Sequence, residues 1–198
     1  AYLHTAKPES WFNHQTYIDT FNPAAVARFI EITHERYRAC LGSSFGTTVP
    51  AIFTDEPHFT KKQTLAVASA PQGVVLPFSD LFCATFEKRF RHDLLDSLPE
   101  LFWDRADARP SLTRYQYHEH TAELFASSFG DTIARWCARN RLALTGHMLS
   151  EATLFGQTRA VGEAMRGLRS FQLPGIDMLE DKIELTTAKQ AQSVARQN

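Results

Sequence analysis

The sequence is poor in cysteine, has no long apolar run and carries almost no net charge. Its three cysteines, Cys40, Cys83 and Cys137, are odd in number and far apart. They make no CxxC or Cys/His spacing of the kind a zinc site shows, so they read as buried thiols. No apolar run approaches the ~20 residues of a membrane span, and the amino terminus has no basic start followed by an apolar stretch. The chain therefore reads as soluble, with no membrane partner and no mark of compartment. A net charge of −1 gives no electrostatic reason to expect nucleic acid or an anionic surface as partner. Neither GxSxG nor a phosphate-cradling glycine loop occurs, which leaves serine nucleophiles and nucleotide binding without support.

What is present is an ordinary globular composition, 43% hydrophobic and 22% charged over 198 residues, enough for one domain with its own core. Fifteen Phe, five Tyr and three Trp make it rich in aromatics. Those rings serve either a thick core or stacking platforms for sugars, and composition does not separate the two.

Along the chain, residues 15–21 (QTYIDTF) predict a short strand. NPAAV then opens a helix with Asn22 as N-cap and Pro23 at the first helical position. Val26, Phe29, Ile30, Thr33 and Tyr37 give this helix its apolar spacing, and it stops near Gly42. Residues 49–57 (VPAIFTDEP) read as a buried parallel strand, and residues 59–76 as a long loop. Helices are expected over 79–90, 93–102 and 111–140, the last with Tyr115, Leu124, Phe125, Phe129, Ile133, Trp136 and Cys137 on its buried side. A strand at 142–151, a helix at 159–168, a strand at 173–179 and a helix at 186–196 complete the order. Such alternation predicts an α/β fold with a parallel sheet and right-handed crossovers. A doubly wound sheet and a (β/α)8 barrel both fit. A barrel needs about 250 residues and eight strands, so on that reading four strands make roughly half of one.

In parallel α/β folds, residues just past the carboxyl ends of the strands face the active site. Three of the four expected strands end in acid-base side chains: Asp55 and Glu56, then His147 with Glu151, then Asp177. Each alone also suits a helix cap. Glu56 stands out because Pro57 stops the ladder and biases Glu56 toward extended backbone. A carboxyl held there, beside Asp55 and between aromatic walls such as Phe53 and Phe59, is expected to be desolvated, as a general acid near neutral pH requires. Gly146, before His147, is a place where a ligand can approach the backbone. His118-Glu119-His120 is not a ligand pair, since residues two apart on a helix do not face each other. It reads as solvated surface.

The ordered series NPAAVARFIEITHERY, FGTTVPAIFTDEP, LPELF, LTGHMLSE, PGIDML and AKQAQSVARQ resembles the catalytic region of α-L-rhamnosidase-like glycoside hydrolases, family 106 and its relatives. The resemblance runs over nearly the whole chain. It implies a TIM-barrel fold, present here as a partial (β/α)8 barrel of about four βα units with a helical insertion after the DEP strand. Residues 1–198 would then be a single α/β domain within a longer catalytic barrel. It further implies a glycoside or oligosaccharide substrate and a pair of catalytic carboxylates. DEP resembles the NEP that ends the fourth strand of many barrel glycosidases, which maps the proton donor onto Glu56 and puts Asp55 where an asparagine binds sugar. His58, His147 and Asp177 are the other expected substrate contacts. The second carboxylate is either Glu151 or a glutamate beyond residue 198. The second option is favoured, which would leave this piece inactive alone. Members of the family are taken to invert, implying carboxyls about 6.5 to 9.5 Å apart. No cofactor is expected, calcium being the one ion the resemblance leaves open.

Two other functions compete. A metal-dependent hydrolase would draw on His4, Asp55, His58, His147, Glu151 and Asp177. A non-catalytic carbohydrate-binding fragment would keep its affinity when Glu56 is changed to Gln. A half-barrel leaves apolar edge strands uncovered, so self-association is also expected.

Overall fold

The computed structural model describes residues 1–178 and 184–197. Asn22 caps α1 (Pro23–Ile32), its side chain accepting from the Ala24 amide at 3.0 Å with Pro23 in the first turn. Val26 and Ile30 form the buried face. The helix expected to run on to Gly42 is instead two. At Thr33 the hydroxyl bonds back to the Phe29 carbonyl, an arrangement that bends helices, and α2 (His34–Leu41) starts afresh at the next residue with Tyr37 exposed.

Three parallel strands, β1 (Ala51–Thr54), β2 (Ala143–Gly146) and β3 (Leu173–Pro174), lie side by side in chain order. The strand expected at 15–21 is not formed: Gln15 makes one isolated antiparallel bridge to Glu9, and the rest is loop. Its apolar residues serve the core instead, Phe21 packing on Phe59 and Phe82. The strand expected at 173–179 is reduced to two residues, and position 179 lies outside the described residues. Ile52 and Leu144 point from the sheet into the core. Their neighbours Phe53 and Leu173, one step along the pleat, stay 60% and 55% exposed on the other face.

The β1–β2 crossover holds α3 (Phe82–Phe90), a 3-10 stretch over Leu95–Leu101, α4 (Leu112–Phe125) and α5 (Asp131–Arg139). A single π-helical segment, Ala126–Gly130, joins α4 to α5, so the long helix expected there is continuous but widened at its middle. Phe125, Phe129, Ile133, Trp136 and Cys137 are buried as their spacing predicts, but Tyr115 is 66% exposed and Tyr117 is buried in its place. The reason lies in α4's inward side, where Thr113, His120 and Thr121 interrupt the apolar period. The His118-Glu119-His120 run is accordingly not solvated surface. His120 is buried among Phe82, Phe86 and Phe90 with Nε2 on the Thr85 hydroxyl, and His118 is half-buried.

The second crossover comprises α6 (Leu154–Ala160) and α7 (Ala164–Leu168) where one helix was expected. The break falls at Gly162, whose φ of +82° suits glycine and whose missing side chain lets Ala122 of α4 approach. The last helix, α8 (Leu185–Gln197), packs on α7 and β3. Ten of the 23 aromatic rings are buried in the core, including Phe59, which packs on Phe21 and Phe125. Only Cys137 is a buried thiol, while Cys83 is half-buried and Cys40 exposed. No helix among the described residues is long and apolar enough to cross a membrane.

Candidate active site

The parallel register sets Thr54 opposite Gly146 and Gly146 opposite Pro174. The next residues of all three strands therefore emerge at one edge of the sheet, which is why Asp55, His147 and Asp177 meet although the sequence separates them widely. His147 is buried, its Nε2 lying 2.9 Å from Asp55 Oδ1 and 4.0 Å from Asp177 Oδ2. Phe53 flanks it with ring centroids 5.8 Å apart. The other ring nitrogen, Nδ1, is buried without a hydrogen-bond partner among the described residues.

Glu151 approaches the same place from the turn after β2. It is half-buried, and its Oε1 is buried without a hydrogen-bond partner among the described residues. Burial pushes its carboxyl above the usual carboxylate range, and the charge of Glu56 pushes the same way. Its own amide, His147 and the Asp177 amide oppose the shift without cancelling it. One carboxyl of the cluster is thereby disposed to keep its proton.

Glu56 departs from expectation. It is not extended but takes a φ of +43°, and it is exposed while Pro57 beside it is buried. Seating the proline ring in the core turns the preceding residue outward, so the desolvation expected at Glu56 falls on Glu151. Of the two aromatic walls foreseen, Phe53 stands at the site and Phe59 belongs to the core. A side chain at positive φ costs about 1–2 kcal/mol, and such strain gathers at functional positions. Glu56→Gly is therefore expected to leave the urea midpoint unchanged or to raise stability by up to about 1 kcal/mol, because glycine's own entropic cost offsets part of the relief. A loss of more than about 1 kcal/mol would show that the Glu56 side chain supports the fold.

His58 does not join the cluster. Its ring stacks on Tyr17 at 4.6 Å, its amide donates to the Tyr17 hydroxyl and its Nδ1 lies 2.9 Å from the Phe59 carbonyl. None of its described contacts is with Asp55, His147, Glu151 or Asp177. Tyr17 had no signal in the sequence, because the strand pattern around it gave no hint of a partner 41 positions away. Gly146 had a signal that was misread. Its φ is +136°, and a Cβ there would fall 2.0 Å from the Thr54 carbonyl oxygen, so the close approach is by β1 and not by a ligand. Among the described residues no group of three or more His, Cys, Asp or Glu side chains is arranged to hold a metal ion.

No protein-family profile and no curated protein sequence matches the chain. Among solved structures it is similar to the rhamnosidase from Novosphingobium sp. PP1Y, with a TM-score of 0.64 and 19% sequence identity. The match covers 91% of this chain but only 16% of the rhamnosidase. At that identity the likeness is one of fold: the α/β arrangement described above is similar to a segment within a much longer enzyme.

Proposed function

We propose that this chain carries part of the catalytic centre of a glycoside hydrolase of the α-L-rhamnosidase-like, family 106 kind, its three strands belonging to a (β/α)8 barrel completed by further polypeptide. The observation that carries the reading is the meeting of Asp55, His147, Glu151 and Asp177 at the carboxyl ends of three adjacent parallel strands, with Glu56 close enough to raise the Glu151 carboxyl. The similarity in fold to part of a rhamnosidase supports it.

Glycoside hydrolysis needs one carboxyl that is protonated at the start and one that is not. Glu151, desolvated and beside a like charge, suits the first role: it donates to the departing glycosidic oxygen. Glu56, exposed, suits the second: it takes a proton from the attacking water. Asp55 fixes the buried His147 ring through Nε2, and Asp177 is left to hold sugar hydroxyls at the strand ends.

The test uses the whole polypeptide in which this chain occurs, offered a panel of nitrophenyl glycosides headed by the α-L-rhamnoside. Release of nitrophenol, abolished by Glu151→Ala together with Glu56→Ala, is the expected result. A folded protein that hydrolyses none of the panel yet binds oligosaccharides would overturn the catalytic reading and leave sugar binding in its place.

A further inference from the structure

The loop that leaves the site after Pro57 is fastened by an unusual residue. Lys62 is 2% exposed. Its Nζ donates to the Thr121 hydroxyl at 2.7 Å and lies 2.9 Å from His118 Nδ1, both on α4. It also stands over the rings of Phe59 and Tyr117, at 5.0 and 5.5 Å. Among the described residues no carboxylate forms an ion pair with it. The main chain docks at the same place on the end of α6. The Phe59 amide donates to the Ala160 carbonyl, the Lys62 amide to the Arg159 carbonyl, and Arg159 Nε back to the Lys62 carbonyl, at 3.0, 2.9 and 2.9 Å. Residues 59–62 thus tie the strand end bearing Asp55 and Glu56 to the helix that follows Glu151.

An ammonium enclosed by aromatic rings, with neutral oxygen and nitrogen partners and no counter-charge, is costly to bury, whereas an amine is not. We propose that Lys62 is a proton-operated latch: uncharged, it seats residues 59–62 between α4 and α6, and on taking a proton from solvent it leaves its cage and the segment undocks. The proposal rests on this packing and not on the glycosidase reading.

The groups that face the amine leave it as the one that changes charge near neutrality. On α4, burial pushes His118 down to about 4 and raises the Tyr117 hydroxyl, and the Arg114 guanidinium also acts on His118. On α6, the Arg159 guanidinium is taken up by the Lys62 carbonyl. Burial brings Lys62 itself down to about 7. Its undocked form keeps a proton up to the ordinary value of about 10.4, and the docked form only up to about 7. Docking therefore strengthens as pH rises between those values, and below the lower one it is weakest and flat.

Hydrogen exchange at the Phe59 and Lys62 amides tests this. Protection, corrected for the intrinsic rate, should fall about tenfold from pH 8 to pH 6 and then level off, while the α5 amides hold theirs. In Lys62→Met the fall should vanish. A flat profile in the native protein, or the same fall in Lys62→Met, overturns the latch. Should that variant not fold, carbon-13 NMR of the lysine Cε groups in the native protein decides: Lys62 titrating about three pH units below the other lysines supports the proposal, and titration alongside them ends it.

Discussion

Glu151→Gln lowers kcat by two or more decades on glycosides with poor leaving groups, while dinitrophenyl glycosides lose little and KM hardly moves. The expectation follows from what a general acid does. A leaving oxygen of high basicity needs a proton as the bond breaks, and an activated phenolate does not, so only the first class of substrate senses the loss. Two decades correspond to about 2.7 kcal/mol of transition-state stabilisation, at the low end of what a positioned acid contributes. Gln keeps the shape and much of the hydrogen bonding of the carboxyl, which leaves the ground-state complex in place. Glu56→Gln gives the contrasting pattern, because a base that activates water serves every leaving group and its removal slows all of them. The pH profile carries the same sign. A donor must be protonated, so activity falls as pH rises through the Glu151 ionisation, and that limb lies above the ordinary carboxylate range because the side chain is buried beside Glu56. In Glu151→Gln this alkaline limb disappears. Equal losses on good and poor leaving groups would show that Glu151 supports the site without donating, and the swapped pattern would return the donor's role to Glu56.

How much of this was legible depended on whether the deciding contact was local. VPAIFTDEP announced the parallel strand β1 but not its burial, since one face stays open with Phe53 60% exposed, whereas the Asn22-Pro23 start of α1 was fully local. The gathering of Asp55, His147 and Asp177 followed from parallel order alone, since strands in one direction deliver their ends to one edge. Which of Glu56 and Glu151 lies buried did not follow, because that depends on how the fold seats the chain around Pro57. The proline that pointed to Glu56 does so by packing its own ring inward, and the glutamate is left in solvent at positive φ. Lys62 is the sharper case. In FTKKQT it looks like one of two surface lysines, and only the meeting of the loop with α4, 56 positions later, makes it a core residue. The false strand at 15–21 arose in the same way, its alternation belonging to a loop that inserts Phe21 into the core and offers Tyr17 to His58.

Gly146→Ala destabilises the protein by at least about 3 kcal/mol and, where the chain still folds, removes the activity assigned to the site. The position carries two independent demands. A φ of +136° lies in territory that residues with a side chain rarely occupy, and the Cβ would overlap the Thr54 carbonyl oxygen at 2.0 Å and crowd the Thr54 carbonyl carbon at 2.9 Å. Those obstacles are main-chain atoms of the paired strand, so no rotamer change relieves them; β1 and β2 must separate or shift. Either response reaches further, because the Gly146 carbonyl also accepts the Gly175 amide at 2.7 Å and thereby positions the turn that leads to Asp177. His147 is the next residue, and its 2.9 Å approach to Asp55 depends on the same register. For a chain of this size a loss of 3 kcal/mol lowers Tm by about 6–12 °C. Gly73→Ala is the matched control: nothing lies within 4 Å of its Cβ, and its stability should stay within about 0.5 kcal/mol of the native protein. Urea titrations of the two variants read the difference directly, and equal midpoints would mean that the sheet yields at Thr54 without cost. In that event the strand ends would not be held rigidly enough to keep Glu151 and Glu56 in fixed relation, and the acid-base reading of the pair would fall with the register that supports it.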